Sequence, residues 1–220
     1  MDKLQTFRKI SQTIFFIRAL ILGNLNILAF VLNFVVGKGA YYMLRYIGVI
    51  LAILFGRVFC GWICPFGYLF ELSYRLRVRY SKLKKLPTLD EKIHSKLIYL
   101  KYISLLVVIL IFSLGIKVNH TLTIAVIVLT IFIILSFIYP RFFCRYFCPV
   151  GALLSIFSYF SIFRLKLDEE KCVKCRLCEF KCPMQIKITE KIDQKECIRC
   201  FECKSACRKN AITYTPIFKK

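Results

Sequence analysis

Residues 118–140 run for 23 positions without a charged side chain. At about 1.5 Å per residue that length crosses a hydrocarbon core of roughly 30 Å as a helix. Lipid offers the backbone no hydrogen bonds, so such a stretch must satisfy its own amides, and an α-helix does so within one segment. Three more apolar segments precede it, at about 13–36, 40–59 and 97–116. The second is the shortest, with eleven uncharged residues between Arg45 and Arg57; long Arg side chains reach headgroups from such positions. The expected fold is therefore an α-helical membrane protein with four transmembrane helices, arranged as two repeated hairpins.

Charge sets the expected orientation. The chain holds 34 Lys and Arg against 12 Asp and Glu. Eight of the basic residues lie between Glu71 and Lys96, and Lys3, Arg8 and Lys9 lie in the N-terminal tail. The opposite loops are short and carry few. Positive charge stays inside, so both termini and the central loop are expected in the cytoplasm of a multi-pass cell-membrane protein. Membrane lipids are the expected partners of these basic flanks, and nucleic acid is not. No cleavable signal peptide is expected, because the first apolar run is long enough to span and lacks a small-residue cleavage site.

Twelve cysteines then fall on the reducing side, where disulfides are not expected. From Asp168 the composition shifts, and eight of the twelve acidic residues lie in positions 168–220. The expected division is a membrane domain over 1–167, ending in an interfacial helix, and a cytoplasmic domain over 168–220. That second domain places cysteines at 172, 175, 178 and 182, and again at 197, 200, 203 and 207, a constant shift of 25. This C-x2-C-x2-C-x3-C spacing is that of bacterial two-cluster ferredoxins, in which the fourth cysteine of each run serves the other cluster. Cys172, Cys175, Cys178 and Cys207 are expected to hold one [4Fe–4S] cube, and Cys197, Cys200, Cys203 and Cys182 a second. A small α+β ferredoxin-like fold follows. Zinc modules take separated pairs of ligands instead. Arg208 stands where a proline usually follows the second run, which removes no ligand.

The remaining four cysteines belong to a repeat. "RVFCGWICPFGYL" at 57–69 recurs as "RFFCRYFCPVGAL" at 141–153, with seven of thirteen positions identical. Each C-x3-C-P follows an apolar span. Pro65 and Pro149 stop the preceding helix and suit the first position of a new one, which puts Cys64 and Cys148 at helix N-termini where the dipole favours thiolate. Arg57 and Arg141 add positive charge at the same depth, as electrostatic support for an anionic group. Three readings stay open for Cys60, Cys64, Cys144 and Cys148: ligands of a third [4Fe–4S] cluster, redox-active dithiols, or buried apolar cysteines left by duplication.

Two C-x3-C-P motifs at membrane-helix ends, followed by the double cysteine run, resemble the NapH and MauN type of membrane ferredoxin, with related cores in NosR and CcoG proteins. The resemblance covers nearly the whole chain. It implies a membrane-bound iron–sulfur electron-transfer protein linking quinol or cytoplasmic carriers to a partner redox enzyme, as an electron-transfer subunit or quinol dehydrogenase component. A factor supplying electrons for another protein's cofactor, or a cluster-based redox sensor, are the alternatives. No residue reads as a general acid or base. His94 and His120 do not pair within a span, so no membrane haem is expected. There is no nucleotide or flavin fingerprint. Asn24, Asn26, Asn33 and Trp62 are the polar candidates for a quinone pocket, although intramembrane asparagines more often bond neighbouring helices and Trp62 and Tyr146 more often anchor at the interface.

Overall fold

The structure, a computed structural model, describes residues 3–21, 40–81, 91–114, 122–190 and 192–218. Asn24, Asn26, Asn33 and His120 lie outside these residues, as do most of the first expected span and the start of the fourth.

The sequence repeat becomes a structural repeat. In the first half α1 (Lys3–Ile21) is followed by α2 (Ala40–Phe55), the short α3 (Val58–Trp62) and α4 (Pro65–Ser81). In the second half α5 (Glu91–Ser113) is followed by α6 (Leu122–Ile138), the short α7 (Phe142–Tyr146) and α8 (Pro149–Ser158). The halves interlock by exchanging partners: α2 packs on α8, and α4 on α6. Within each half the first helix packs on the last, α1 on α4 and α5 on α8. These paired contacts are those of an approximate twofold.

α2 stops at Gly56, whose φ of +79° turns the chain out of the helix after its N–H bonds Ala52 O at 3.0 Å. A Cβ there would also lie 2.7 Å from Arg199 Nε, so this position needs glycine twice over. Its equivalent is Pro140, after which Arg141 takes the left-handed conformation at φ 52°.

The strand β1 (Phe163–Leu167) lies before the expected boundary at 168 and pairs antiparallel with β2 (Ile212–Pro216), from Phe163 opposite Pro216 to Leu167 opposite Ile212. Between them sit two short helices, α9 (Leu177–Phe180) and α10 (Glu202–Ala206), packed on each other. The sheet docks on the end of α2: Phe163 stacks on Phe55 at 5.3 Å, and Tyr214 Oη donates to Phe55 O at 2.9 Å. A single core joins both parts, from Phe66, Phe70 and Phe143 through Ile198 to Met184 and Ile212.

Among the described residues one helix, Ile93–Ile111, is long and apolar enough to cross a membrane, and Val126–Ile138 is a shorter apolar helix. Both carry exposed apolar stripes at helical spacing, Ile103, Leu106 and Leu110 on α5 and Ile127, Ile131 and Ile134 on α6. The opposite face of α5 is different. Lys101, inside the expected third span, is fully buried against Glu196, and Ser104 Oγ donates to Phe147 O at 2.7 Å.

Candidate metal centres

Each C-x3-C-P motif folds into the same local device. The single turns of α3 and α7 end with two N–H groups on one carbonyl. Ile63 and Cys64 both bond Phe59 O at 3.0 Å, and Phe147 and Cys148 both bond Phe143 O at 2.9 Å. Proline then starts the next helix. Cys148 caps α8 with φ −70° and ψ 112°, and its Sγ accepts the Gly151 N–H at 3.3 Å. In the first motif the Gly67 N–H likewise favours the thiolate of Cys64. Gly67 and Gly151, 84 positions apart, are both tight: a Cβ on Gly67 would stand 2.9 Å from Cys60 O, and one on Gly151 3.1 Å from Cys144 O.

The twofold brings all four motif cysteines together. Cys60, Cys64, Cys144 and Cys148 line one cavity, closed by Arg57, Phe66 and Val150. Burial pushes the Cys64 and Cys144 thiols up, and neighbouring cysteines push them further. Burial, then Cys60 and Cys64, push Cys148 up to about 12, against the Gly151 N–H and Arg57. Thiols in such a place lose their protons to a binding metal rather than to water.

Arg57 and Arg141 are fully buried, one on each side. Arg141 Nη1 donates to Cys60 O at 3.0 Å, and its Nη2 pairs with Glu71. Arg57 pairs with Glu196 at 3.1 Å, and Glu196 also takes Lys101. Burial works against charge on Glu71, yet Arg141, Arg8 and Arg75 hold its carboxyl down at about 2. The position equivalent to Glu71 in the second half is Ser155, which donates to Glu196 at 3.3 Å. The C-terminal domain thus supplies the carboxylate that the second repeat lacks.

Residues 194–202 lie directly over this site. Trp62 Nε1 donates to Arg199 O at 3.0 Å, Gln5 Nε2 to Cys200 O at 2.9 Å and Ser158 Oγ to Gln194 O at 2.9 Å. A Cβ on Gly61 would meet Ile198 O at 2.4 Å, so the two backbones touch there. Trp62 is thereby engaged with the C-terminal domain. Tyr146, its counterpart, holds His94 Nδ1 at 2.8 Å, and Arg145 links His94 Nε2 (3.0 Å) to Gln185 Oε1 (2.6 Å).

A second cavity is lined by Cys182, Cys197, Cys200 and Cys203. One cysteine comes from the first run and three from the second. Burial and Cys200 push Cys182 up to about 12; burial pushes Cys200 to about 11, opposed first by Arg8. Of the remaining four, Cys175 is exposed, Cys178 is buried, and Cys172 and Cys207 are half-buried. The two runs share one backbone pattern. Left-handed residues occur at Lys174, Arg176 and Gln185, and again 25 positions later at Arg199, Phe201 and Asn210. Loops of this kind turn successive N–H groups inward, as anion-binding nests do.

These residues fit iron–sulfur cubes. The four cysteines of each cavity line one volume, as ligands to different irons of one cube would. At the motif site the buried Arg57 Nη2, which has no hydrogen-bond partner among the described residues, is in addition a donor suited to an anionic cluster. Sequence reasoning missed Glu71, Glu196 and Arg8. A signal existed for the first: Glu71 is the only acidic residue between Asp2 and Asp90.

Comparison with known proteins agrees. A model described as a 4Fe–4S binding domain matches residues 39–84 and 121–168, the two motif-bearing halves, and a second of the same description matches 165–186. Two uncharacterized proteins of Methanocaldococcus jannaschii are similar over the whole chain. One is 59% identical with 90% of its length covered, the other 49% identical with 99% covered. The putative electron transport protein YccM of Escherichia coli is 29% identical over 64% of this chain and 45% of its own length. Also similar are NosR of Stutzerimonas stutzeri, 32% identical over 60% of this chain and 21% of its own, and MauN of Paracoccus denitrificans, 26% over 62% and 52%. The chain therefore spans about half or less of these last three. No solved structure matches. The 4Fe–4S domains and the matches to NosR and MauN place the family: the chain is a membrane ferredoxin related to NosR and MauN, an iron–sulfur electron-transfer protein.

Proposed function

We propose that the chain is a three-centre wire between the membrane and the cytoplasm. Cys172, Cys175, Cys178 and Cys207 hold the outer [4Fe–4S] cube, Cys182, Cys197, Cys200 and Cys203 the middle one, and Cys60, Cys64, Cys144 and Cys148 a third at the membrane. Bound cubes supply one-electron chemistry; the protein's part is to hold them in line and set their potentials. One observation carries the reading: four cysteines from the two repeats line one cavity, as four ferredoxin cysteines line the cavity beside it. Kinship with proteins named for electron transport and ferredoxin-type roles supports it.

The exposed apolar stripes of α5 and α6 support insertion in lipid. Four spans with both termini cytoplasmic put the ferredoxin part inside, where a redox partner protein meets the exposed outer loop around Cys175. Quinol is the membrane-side donor or acceptor in this reading. The test is anaerobic reductive titration of the purified chain in lipid nanodiscs, followed by a quinol analogue. Uptake of about three electrons per chain, with the motif centre the first to exchange with quinol, is expected. Uptake of two, or no exchange with quinol, contradicts the reading.

A further inference from the structure

The two buried cysteine cavities are joined by one string of hydrogen bonds. Arg8 donates to Cys200 O at 3.1 Å and to Glu71 Oε1 at 2.5 Å. The other carboxylate oxygen of Glu71 takes Arg141, whose Nη1 donates to Cys60 O at 3.0 Å. Each end of the string is therefore a ligand residue of a different centre, and a single carboxylate stands in the middle. Arg75 closes the hub from the rim, bonding Glu71 and, at 2.6 Å, Glu202.

Mere attachment of the two domains does not call for this arrangement. Replacing a buried ion pair by packed apolar groups is often neutral or stabilising, so three guanidinium groups, two of them fully buried, shared between Glu71 and the rim carboxylate of Glu202 are a costly way to glue surfaces. Charge explains it better. Arg8 and Arg141 are fully buried, Glu71 is nearly so, and the string lies between two sites lined by four cysteines each. At low effective dielectric a unit charge placed there acts on both sites strongly. The guanidinium groups favour the electron-rich state of either centre, and Glu71 opposes them.

We propose, on the three-centre reading above, that Glu71 is a positioning residue whose fixed negative charge sets the reduction potentials of the middle and membrane centres together. The step it serves is transfer of one electron from one centre to the other: the first is oxidised, the second reduced, no bond forms or breaks, and no proton moves. Because both ends of the string respond to the same carboxylate, the two potentials move in the same direction when it changes and stay matched for transfer.

The test is a redox titration of the full chain in nanodiscs, monitored by electron paramagnetic resonance, with iron and acid-labile sulfide measured on every sample. In Glu71→Gln the reduction equilibrium of both centres shifts at least tenfold toward the reduced form, which is 59 mV for a one-electron couple. The outer centre moves much less, and Glu71→Asp restores both shifted centres. A shift in only one of the two, or in neither, with iron content kept, overturns the coupling while leaving the three-centre reading intact. Should Glu71→Gln lose iron, Arg75→Gln serves instead: its side chain is 39% exposed at the rim. Removing this cation shifts both centres the opposite way, and no shift again overturns the coupling. A wild type with about eight irons rather than twelve removes the membrane centre, and both claims fall together.

Discussion

Gly61 shows how little room separates the first cysteine motif from the second ferredoxin run. Any side chain there points at Ile198 O from 2.4 Å, and a backbone carbonyl cannot swing aside as a long side chain does. Gly61→Ala therefore pushes residues 197–200 off the membrane motif, an overpacking cost of about 1–3 kcal/mol. Thermal unfolding of the holoprotein is expected at a temperature several degrees lower; an unchanged midpoint contradicts the contact. Glu71 makes a prediction in pH. Its carboxyl sits at about 2 in the folded chain against an ordinary 4.5. A depressed value means stability that is complete above 4.5 and lost as pH falls from 4.5 toward 2. Acid-induced unfolding of Glu71→Gln is expected to show a shallower pH dependence across that window than wild type. Equal slopes would mean that Glu71 is not charged in the fold.

Among the elements, the paired helices α4 and α8 make the clearest demand, because each starts on a Cys-Pro step and each has a glycine at its third residue. Gly67 faces Cys60 O and Arg141, and Gly151 faces Cys144 O and Arg57. Gly67→Ala and Gly151→Ala are expected to perturb the motif centre alike and to leave the ferredoxin centres unchanged in electron paramagnetic resonance. An effect confined to one of the two breaks the twofold equivalence. Much of this level was legible in the sequence. The repeat at 57–69 and 141–153, the helix restart at each proline and the double cysteine run were read from spacing alone. The pairing of α2 with α8 and α4 with α6 was not, because the exchange of partners depends on how two halves dock and leaves no local pattern. Nor was the burial of Lys101, since hydropathy averages over a helix and does not tell which face meets a neighbouring domain.

For the whole molecule, the ferredoxin part and the membrane part behave as one unit through buried charge. Arg8 reads in the sequence as a topology signal in a basic tail, yet it is fully buried on Cys200 O and Glu71. Glu196 reads as one of several carboxylates in an acidic-enriched domain, yet it fills the place that Ser155 leaves open and pairs with both Arg57 and Lys101. Partners so distant in sequence become visible only when the chain folds. Removing one member of such a buried group strands the others, at about 3–5 kcal/mol. In Glu196→Gln, hydrogen exchange over residues 194–203 is expected to rise by two orders of magnitude or more; protection equal to wild type would show that the domain is held otherwise. The central claim is the third centre, and its most direct measurement is iron and acid-labile sulfide per chain on anaerobically purified protein. It is made alongside a variant with Cys60, Cys64, Cys144 and Cys148 all changed to Ser. About twelve irons in the wild type, falling to about eight in the variant, is the expected result. About eight in both contradicts it.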